Sequence, residues 1–425
     1  MIQLAMLCAM GFVTSITTSI ITAASDELME EFDISLTVSF LPLSLYVIAL
    51  GFGPILGGPS SESLGRYPVY ATILPLGTLF TLGCGFVHNF GGLCFLHFMT
   101  GFSWGPSLAL ASGSISETLP PRTRGPASAL FILTPFLGPG LGPVIGSFVA
   151  NRKGWRWTQW TMIFSAIFTM ILALFTEETY HAKIKQRISR EKGTEASPSV
   201  PFSTRLRLFI QVSLIRPVMM LFTDPIITFL CLYVAVNFGI EFSFFAAVPY
   251  VFGTAYHFGV EETGLGIVIG CILRFITIIV CDIFIYQKKI SLYPPHKVPP
   301  EHRLYPAMIG SIGGPIGLFW FAWTAREDIY WASPAAAIIP FVWGNLCIIV
   351  AALQYIGDTY AGNIVASGAA ANSLACYGLA AGFPLFSVPS NLIGFLGLAL
   401  LPITFILFLY GPKIRAKSRF GTIQY

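Results

Sequence analysis

The stretch FLGPGLGPVIGSFV, Phe136 to Val149, decides how this chain must fold. Gly138, Gly142 and Gly146 recur at four-residue spacing, and Pro139 and Pro143 follow the first two. On an α-helix that spacing lines the glycines up in one stripe, where a second backbone can approach closely. Each proline removes an N–H and favours a bend. In a soluble core such a segment is a poor helix. In a membrane, where backbone groups must be satisfied within the protein, it is a tolerated one, suited to tight packing and to flexing.

Composition sets the solvent. Of 425 residues, 55% are hydrophobic and only 10% charged, against roughly 25% charged in a typical soluble domain. Mean hydropathy is +0.73, so the chain reads as a polytopic integral membrane protein. The net charge of +4 does not point to nucleic acid, because the bases are distributed by topology. The eight cysteines all lie in apolar segments without a C-x-x-C and read as small apolar helix residues.

Apolar runs of about 20 residues, the length that spans a bilayer, fall near 2–23, 35–56, 69–87, 91–113, 127–149 and 157–176, and again near 225–252, 263–285, 305–324, 331–353, 362–386 and 391–411. The expected architecture is an all-α integral membrane protein of two six-helix bundles, with about 12 transmembrane helices. An N-terminal half over 1–176, a cytoplasmic linker over 177–222, a C-terminal half over 223–412 and a tail over 413–425 result. No basic n-region precedes the first run, so a secretory signal peptide is not expected.

Lysine and arginine orient the bundle. One set of connections holds Arg66, Arg122 and Arg124, the basic run from Lys183 to Arg216, Lys288 to Arg303, and Lys413 to Arg419; the other holds Arg152, Lys153, Arg156 and Arg326. By the positive-inside rule both termini and the linker are cytoplasmic. DELMEEFD, Asp26 to Asp33, then faces outward, either as a solvated acidic loop or as a vestibule that attracts cationic solutes. The basic run of the linker is expected at the membrane surface, against anionic lipid. No G-x-x-x-x-G-K-[ST] occurs, and no nucleophile–base set or metal cluster is apparent, so a secondary transporter is expected rather than a pump or an enzyme.

Two further stretches carry motifs. In GGPSSESLGRYPVY, Gly57 to Tyr70, Gly58 and Gly65 allow a tight turn, Glu62 can accept hydrogen bonds, and Arg66 holds a charge at the membrane surface. In HFMTGFSWGPSLALASGSISE, His97 to Glu117, the glycines and serines form a small-residue face and Glu117 sits where the helix leaves the membrane. GWRWTQW, Gly154 to Trp160, suits an interfacial aromatic anchor.

Together these stretches resemble the major facilitator superfamily, in particular its fungal twelve-spanner drug:proton antiporter branch. RPVMMLFTDPI (Arg216 to Ile226), EHRLYPAMIG (Glu301 to Gly310), PIGLFWFAWT (Pro315 to Thr324) and YGPKIRAKS (Tyr410 to Ser418) are similar to the same branch, and the likeness covers nearly the whole chain. The resemblance implies that Gly58, Glu62, Gly65 and Arg66 form a cytoplasmic gating motif that latches spans rather than touching substrate. It implies that Gly138, Pro139, Gly142, Pro143 and Gly146 form the motif associated with antiporters, and that His97, Gly101 and Glu117 belong to the span-four motif. His97 stands where that branch usually has an arginine proposed to take part in proton coupling; it either cycles protons or stays a neutral, hydrogen-bonded imidazole. Cys376 replaces another expected arginine, and only a short connection separates Phe383–Ser387 from the last span.

Charged residues inside spans are costly and therefore worth naming. Glu241 lies in the seventh span, Arg274 and Asp282 in the eighth, and Asp358 at the start of the eleventh. Glu241 and Arg274 read either as a structural pair or as part of a proton or substrate site. Candidate cavity residues are Trp104, Tyr233, Asn237, Glu241, Arg274, Asn345 and Asn372, with the hydroxyls of the first span (Thr14, Ser15, Thr17, Thr18, Ser19). The expected function is proton-coupled export of small organic compounds, whether drugs, toxins or polyamines, by alternating access. The proton gradient supplies energy and no cofactor is expected. A monomer in the plasma membrane is expected, with small molecules, protons and lipid as partners and no nucleic acid. Proton-coupled uptake of a metabolite and a transport-inactive, receptor-like paralogue are the alternatives.

Overall fold

The computed structural model describes residues 2–119, 121–191, 210–257, 299–360, 363–385, 390–416, 418 and 420. Helices dominate, and no strand occurs among the described residues. The chain divides into two compact units, Met1–Arg216 and Pro217–Tyr425. Among the described residues nine helices are long and apolar enough to cross a membrane. The expected fourth span is two helices, Phe90–Trp104 and Pro106–Thr118, joined at Gly105. The fifth lies within one continuous helix, Pro121–Lys153. The expected eighth span, with Arg274 and Asp282, falls outside the described residues.

In the first unit, the Pro121–Lys153 helix packs along the Ile2–Ile16 helix and the 3-10 turn Ile20–Ala24 that continues it. The glycine stripe makes this possible. A Cβ on Gly138 would lie 2.6 Å from Ile16 N, one on Gly142 would meet Ser19 Oγ, and one on Gly146 would meet Ile20 O. Two of the carbonyls that the prolines of this helix leave unmatched are met by hydroxyls. Pro143 has no N–H for the Pro139 carbonyl four residues back, and Ser19 Oγ donates to that carbonyl at 3.0 Å. Pro135 likewise leaves Phe131 O unmatched, and Thr134 Oγ1 donates to it at 2.8 Å.

Most hydroxyls of the first span are engaged with backbone, while Thr14 Oγ1 pairs with Ser107 Oγ of the fourth span at 3.2 Å. Ser15 donates to Gly11 O at 2.7 Å, Thr17 to Val13 O at 2.7 Å and Thr18 to Ser15 O at 2.6 Å. The second and fourth spans close on each other in the same way. A Cβ on Gly101 would sit 2.6 Å from Tyr46 O, and one on Gly53 would meet the Gly105 backbone.

The acidic segment is not simply solvated. It forms the helix Ser25–Phe32, and two of its acids are bound to the GWRW turn. Glu27 Oε2 accepts from Trp155 N at 2.6 Å, at the start of the Arg156–Leu174 helix. Glu31 accepts from Trp155 Nε1 at 2.6 Å and takes both Arg156 guanidinium nitrogens, at 2.8 and 2.6 Å. Arg156 Nη2 also reaches Val87 O at 3.1 Å. One bidentate ion pair thus ties together the connections after the first, third and fifth spans.

The second unit has a glycine stripe of its own on the Tyr305–Thr324 helix, facing Ala332–Thr359. Cβ atoms on Gly313 and Gly317 would lie 2.8 Å from Pro340 O and 2.7 Å from Ala337 O. Its core includes Phe244, Phe321 and Phe341, with the Phe244 and Phe341 rings stacked at 4.6 Å.

Replacing Gly142 by Val is expected to leave membrane insertion intact and abolish flux, because the branched side chain collides with Ser19 and the first helix must move away. Normal thermal stability and flux in that variant would reduce the stripe to incidental small residues.

Candidate functional site

The sequence stretch 57–70 reads as a loop, but the structure narrows the loop to one residue. Gly53–Leu64 is helical, and the next helix, Arg66–Phe86, begins immediately after Gly65. Gly65 has φ 106°, which favours glycine, and a Cβ there would strike Glu178 Oε2. Gly58 is not part of the turn: it lies inside the first helix with nothing within 4 Å of a Cβ position. The Glu62 side chain lies outside the described residues.

Arg66 is the hub of a polar cluster at this turn. Its Nε and Nη2 donate to Glu117 at 3.3 and 3.0 Å, and its Nη1 donates to Ser61 Oγ at 2.7 Å. Glu117 occupies the last turn of Pro106–Thr118, where the helix dipole disfavours an anion, so the guanidinium offsets a local cost. Gly113 admits the guanidinium, since a Cβ there would lie 2.5 Å from Arg66 Nη2. Glu178 completes the group. Its carboxylate accepts from Arg66 N at 2.8 Å and Tyr67 N at 3.2 Å, capping the helix that Arg66 begins. Tyr180 lies with its ring 5.7 Å from the guanidinium.

The second unit repeats the pairing. Arg303, just before the Tyr305–Thr324 helix, donates through Nε to Asp358 Oδ2 at 2.7 Å. Asp358 therefore belongs to the last turn of the Ala332–Thr359 helix rather than to the start of the eleventh span. Glu301 and Arg415 add a more deeply buried ion pair at 3.1 Å.

Elsewhere in the first unit, His97 is buried with its ring edge-on to Tyr46 at 5.8 Å. Neither imidazole nitrogen has a well-aligned hydrogen-bond partner, nor does Oε1 of Gln159. Trp104 belongs to the apolar interior of this unit rather than to an open wall. Its indole fills the space that Gly77 leaves and donates to Leu74 O at 3.4 Å, among Val13, Ile16 and Met162.

In the second unit, Tyr233, Asn237 and Glu241 recur every fourth residue along Pro225–Ala255, which puts them on one helix face. Asn237 Nδ2 donates to Tyr233 O at 2.8 Å. Asn345 Nδ2 donates to Glu241 Oε2 at 2.6 Å. Both of these side chains are buried, and Asn345 Oδ1 has no partner. The stacked Phe244 and Phe341 come from the same two helices, one turn away along each. Asn372 is also buried with its Oδ1 unpartnered. Arg274, the expected partner of Glu241, lies outside the described residues.

Glu178 is absent from the residues that the sequence singles out, although it lies just after the sixth span in FTEETY, Phe175 to Tyr180. Paired acids directly after a span, set against an Arg opening another, are the signal that could have found it.

The sequence profile described as Major Facilitator Superfamily matches residues 7–384. The efflux pump FUB11 of Gibberella moniliformis is 33% identical, over 96% of this chain and 72% of its own length. Polyamine transporter 4 of Saccharomyces cerevisiae is 30% identical, over 96% of this chain and 68% of its own. The xylose transporter XylE from E. coli, in a partially occluded inward-open conformation, shares the fold with TM-score 0.69 at 16% identity, covering 97% of this chain and 98% of that one.

Removing the cap tests the first cluster. Glu178→Ala is expected to lower the stability of the purified protein by about 1–2 kcal/mol, the usual cost of a lost helix cap. An unchanged melting curve would contradict the role given to Glu178.

Proposed function

Since the chain belongs to the major facilitator superfamily of multi-pass membrane transporters, we propose that it exports small organic compounds in exchange for protons, by alternating access. It is a transporter and not an enzyme. The observation that carries the reading is the buried Glu241 carboxylate, held by Asn345 at 2.6 Å beside the Phe244–Phe341 stack. An ionisable group inside a membrane span is costly to keep and marks a pathway for ions or substrate. Aromatic faces next to an anion suit molecules that join a protonated amine to an apolar body. Polyamines and basic drugs or toxins are of this kind. The relative named as a polyamine transporter supports this substrate class, and the one named as an efflux pump supports the direction.

The coupling follows from one carboxylate with two ligands. Ionised, Glu241 accepts from Asn345 and holds a cation; protonated, it no longer attracts one. Amine and proton therefore compete. Because the two ligands exclude each other, a proton arriving from the proton-rich side displaces the amine there, and an amine arriving from the other side displaces the proton. Each pH unit across the membrane supplies about 1.4 kcal/mol per proton, enough for a tenfold gradient of substrate. A ligand biases a conformational equilibrium only by its differential affinity for the two states. Competition at Glu241 supplies such a difference. The Arg66, Glu117 and Glu178 cluster acts in this scheme on conformation, as a latch, and not on substrate. With the basic connections inside, both termini are cytoplasmic, and a plasma-membrane location suits export.

The test is transport in reconstituted vesicles with labelled spermidine and a lipophilic cationic dye. Glu241→Gln is expected to abolish accumulation driven by an imposed pH gradient in a protein that still folds. Unchanged pH-driven flux would exclude Glu241 as the shared site, and no flux of any tested compound by the unaltered chain would favour a non-transporting role.

A further inference from the structure

The segment after the last helix is fastened to the opposite end of the second unit's sequence. Pro402–Arg415 ends with Arg415 paired to Glu301 at 3.1 Å. A turn comes next, with Ser418 N donating to Arg415 O at 3.0 Å. Ser418 Oγ then donates to Asp224 Oδ2 and accepts from Phe420 N at 3.2 Å. Asp224 is fully buried. Its other oxygen caps the Pro225–Ala255 helix, accepting from Ile226 N at 3.0 Å and Ile227 N at 3.5 Å. The helix that carries Glu241 thus begins on a carboxylate whose remaining oxygen accepts from a serine of the C-terminal strap, with the buried Tyr360 hydroxyl beside both groups.

That serine stands in the sequence KIRAKSRF, Lys413 to Phe420, with Arg415 three residues before it and Lys417 and Arg419 beside it. In sequence, a base three residues before a serine and bases on either side of it are the pattern that basic-directed serine kinases select through their own carboxylates. Arg415, held by Glu301, becomes available to a kinase as the strap loosens. Ser418 itself is half-buried rather than enclosed. We propose that Ser418 is a phosphorylation site, and that its modification detaches the strap from Asp224. The inference uses the cytoplasmic placement of the basic connections and is independent of the substrate and of proton coupling.

In the modifying step the Ser418 Oγ–phosphorus bond forms as the bond from the γ-phosphorus of ATP to its β–γ bridging oxygen breaks. ADP leaves, and the hydroxyl proton passes to the kinase's general base. The product has lost the hydroxyl proton that Asp224 accepted and has gained nearly two negative charges. Set against a buried carboxylate, such a group repels and cannot dock. The strap and the kinase also compete for the same hydroxyl, so anything that weakens the Ser418–Asp224 bond speeds modification.

The experiment uses the full chain in lipid nanodiscs, with the catalytic subunit of a basic-directed kinase and ATP, read by mass spectrometry of the C-terminal peptide. Phosphate is expected on Ser418 and is lost in Ser418→Ala. Asp224→Asn, a poorer acceptor of the same shape, is expected to be labelled several-fold faster. Hydrogen–deuterium exchange of the C-terminal peptide is expected to be faster in the phosphorylated protein than in the unmodified one. Failure of Ser418 to accept phosphate, or unchanged exchange after modification, overturns the proposal. Equal labelling rates in a well-folded Asp224→Asn also overturn it; if that variant does not fold, the exchange comparison decides alone.

Discussion

Inside a bilayer a backbone carbonyl must find its donor within the protein, and each proline in a helix takes one donor away. The Pro121–Lys153 helix carries prolines at 135, 139 and 143 and still runs unbroken. Donors for two of the exposed carbonyls arrive from elsewhere: Thr134 on its own surface serves Phe131 O, and Ser19 from the first span serves Pro139 O. Ser19 can reach Pro139 O only because Gly142 leaves its path open. Glycine and proline are therefore two halves of one device. The prolines expose carbonyls, and the glycines bring the helix that supplies hydroxyls close enough to use them. The second unit repeats the close approach, with Gly313 and Gly317 set against the carbonyls of Pro340 and Ala337 on helices that carry Pro315 and Pro340.

The charged residues obey a related rule. Glu117 and Asp358 each sit at the unfavourable C-terminal end of a helix, and each is met by an arginine at the start of a neighbouring one, Arg66 or Arg303. The repeat places the same pairing on the third and fourth spans of both units. Exposed pairs of this kind contribute little to stability. Arg66 does more, because Ser61, Glu117 and the Glu178 cap all converge on its side chain or its backbone N–H.

Much of the architecture was legible in the sequence, because hydropathy and length alone define a membrane span. The close approach at Gly138, Gly142 and Gly146 was legible too, since four-residue spacing determines a helix face. Which groups meet was not legible. Hydroxyls in the first span suggested substrate contacts, yet Ser15, Thr17 and Thr18 bond to backbone of their own segment. The acids of the Ser25–Phe32 segment suggested a solvated face, yet Glu27 and Glu31 hold the Trp155–Arg156 turn. Glu241 and Asn345 both stand out as polar groups within spans, but not as a bonded pair, because 104 residues separate them in the chain. The joint in the fourth span is written in its Gly105–Pro106 dipeptide, a helix-breaking pair that a small-residue face conceals.

The dependence of the first span on the prolines is tested most directly by a double-mutant cycle on Ser19→Ala and Pro143→Ala, read as unfolding free energy of the purified protein. The Pro143→Ala substitution restores an N–H for the Pro139 carbonyl, so the hydroxyl of Ser19 loses its task. Ser19→Ala is expected to cost about 1–2 kcal/mol with Pro143 present, the upper range for interhelical hydrogen bonds in membranes, and close to nothing in the Pro143→Ala background. An equal cost in both backgrounds would contradict the claim that the first span holds its present position to satisfy the carbonyls that the prolines expose.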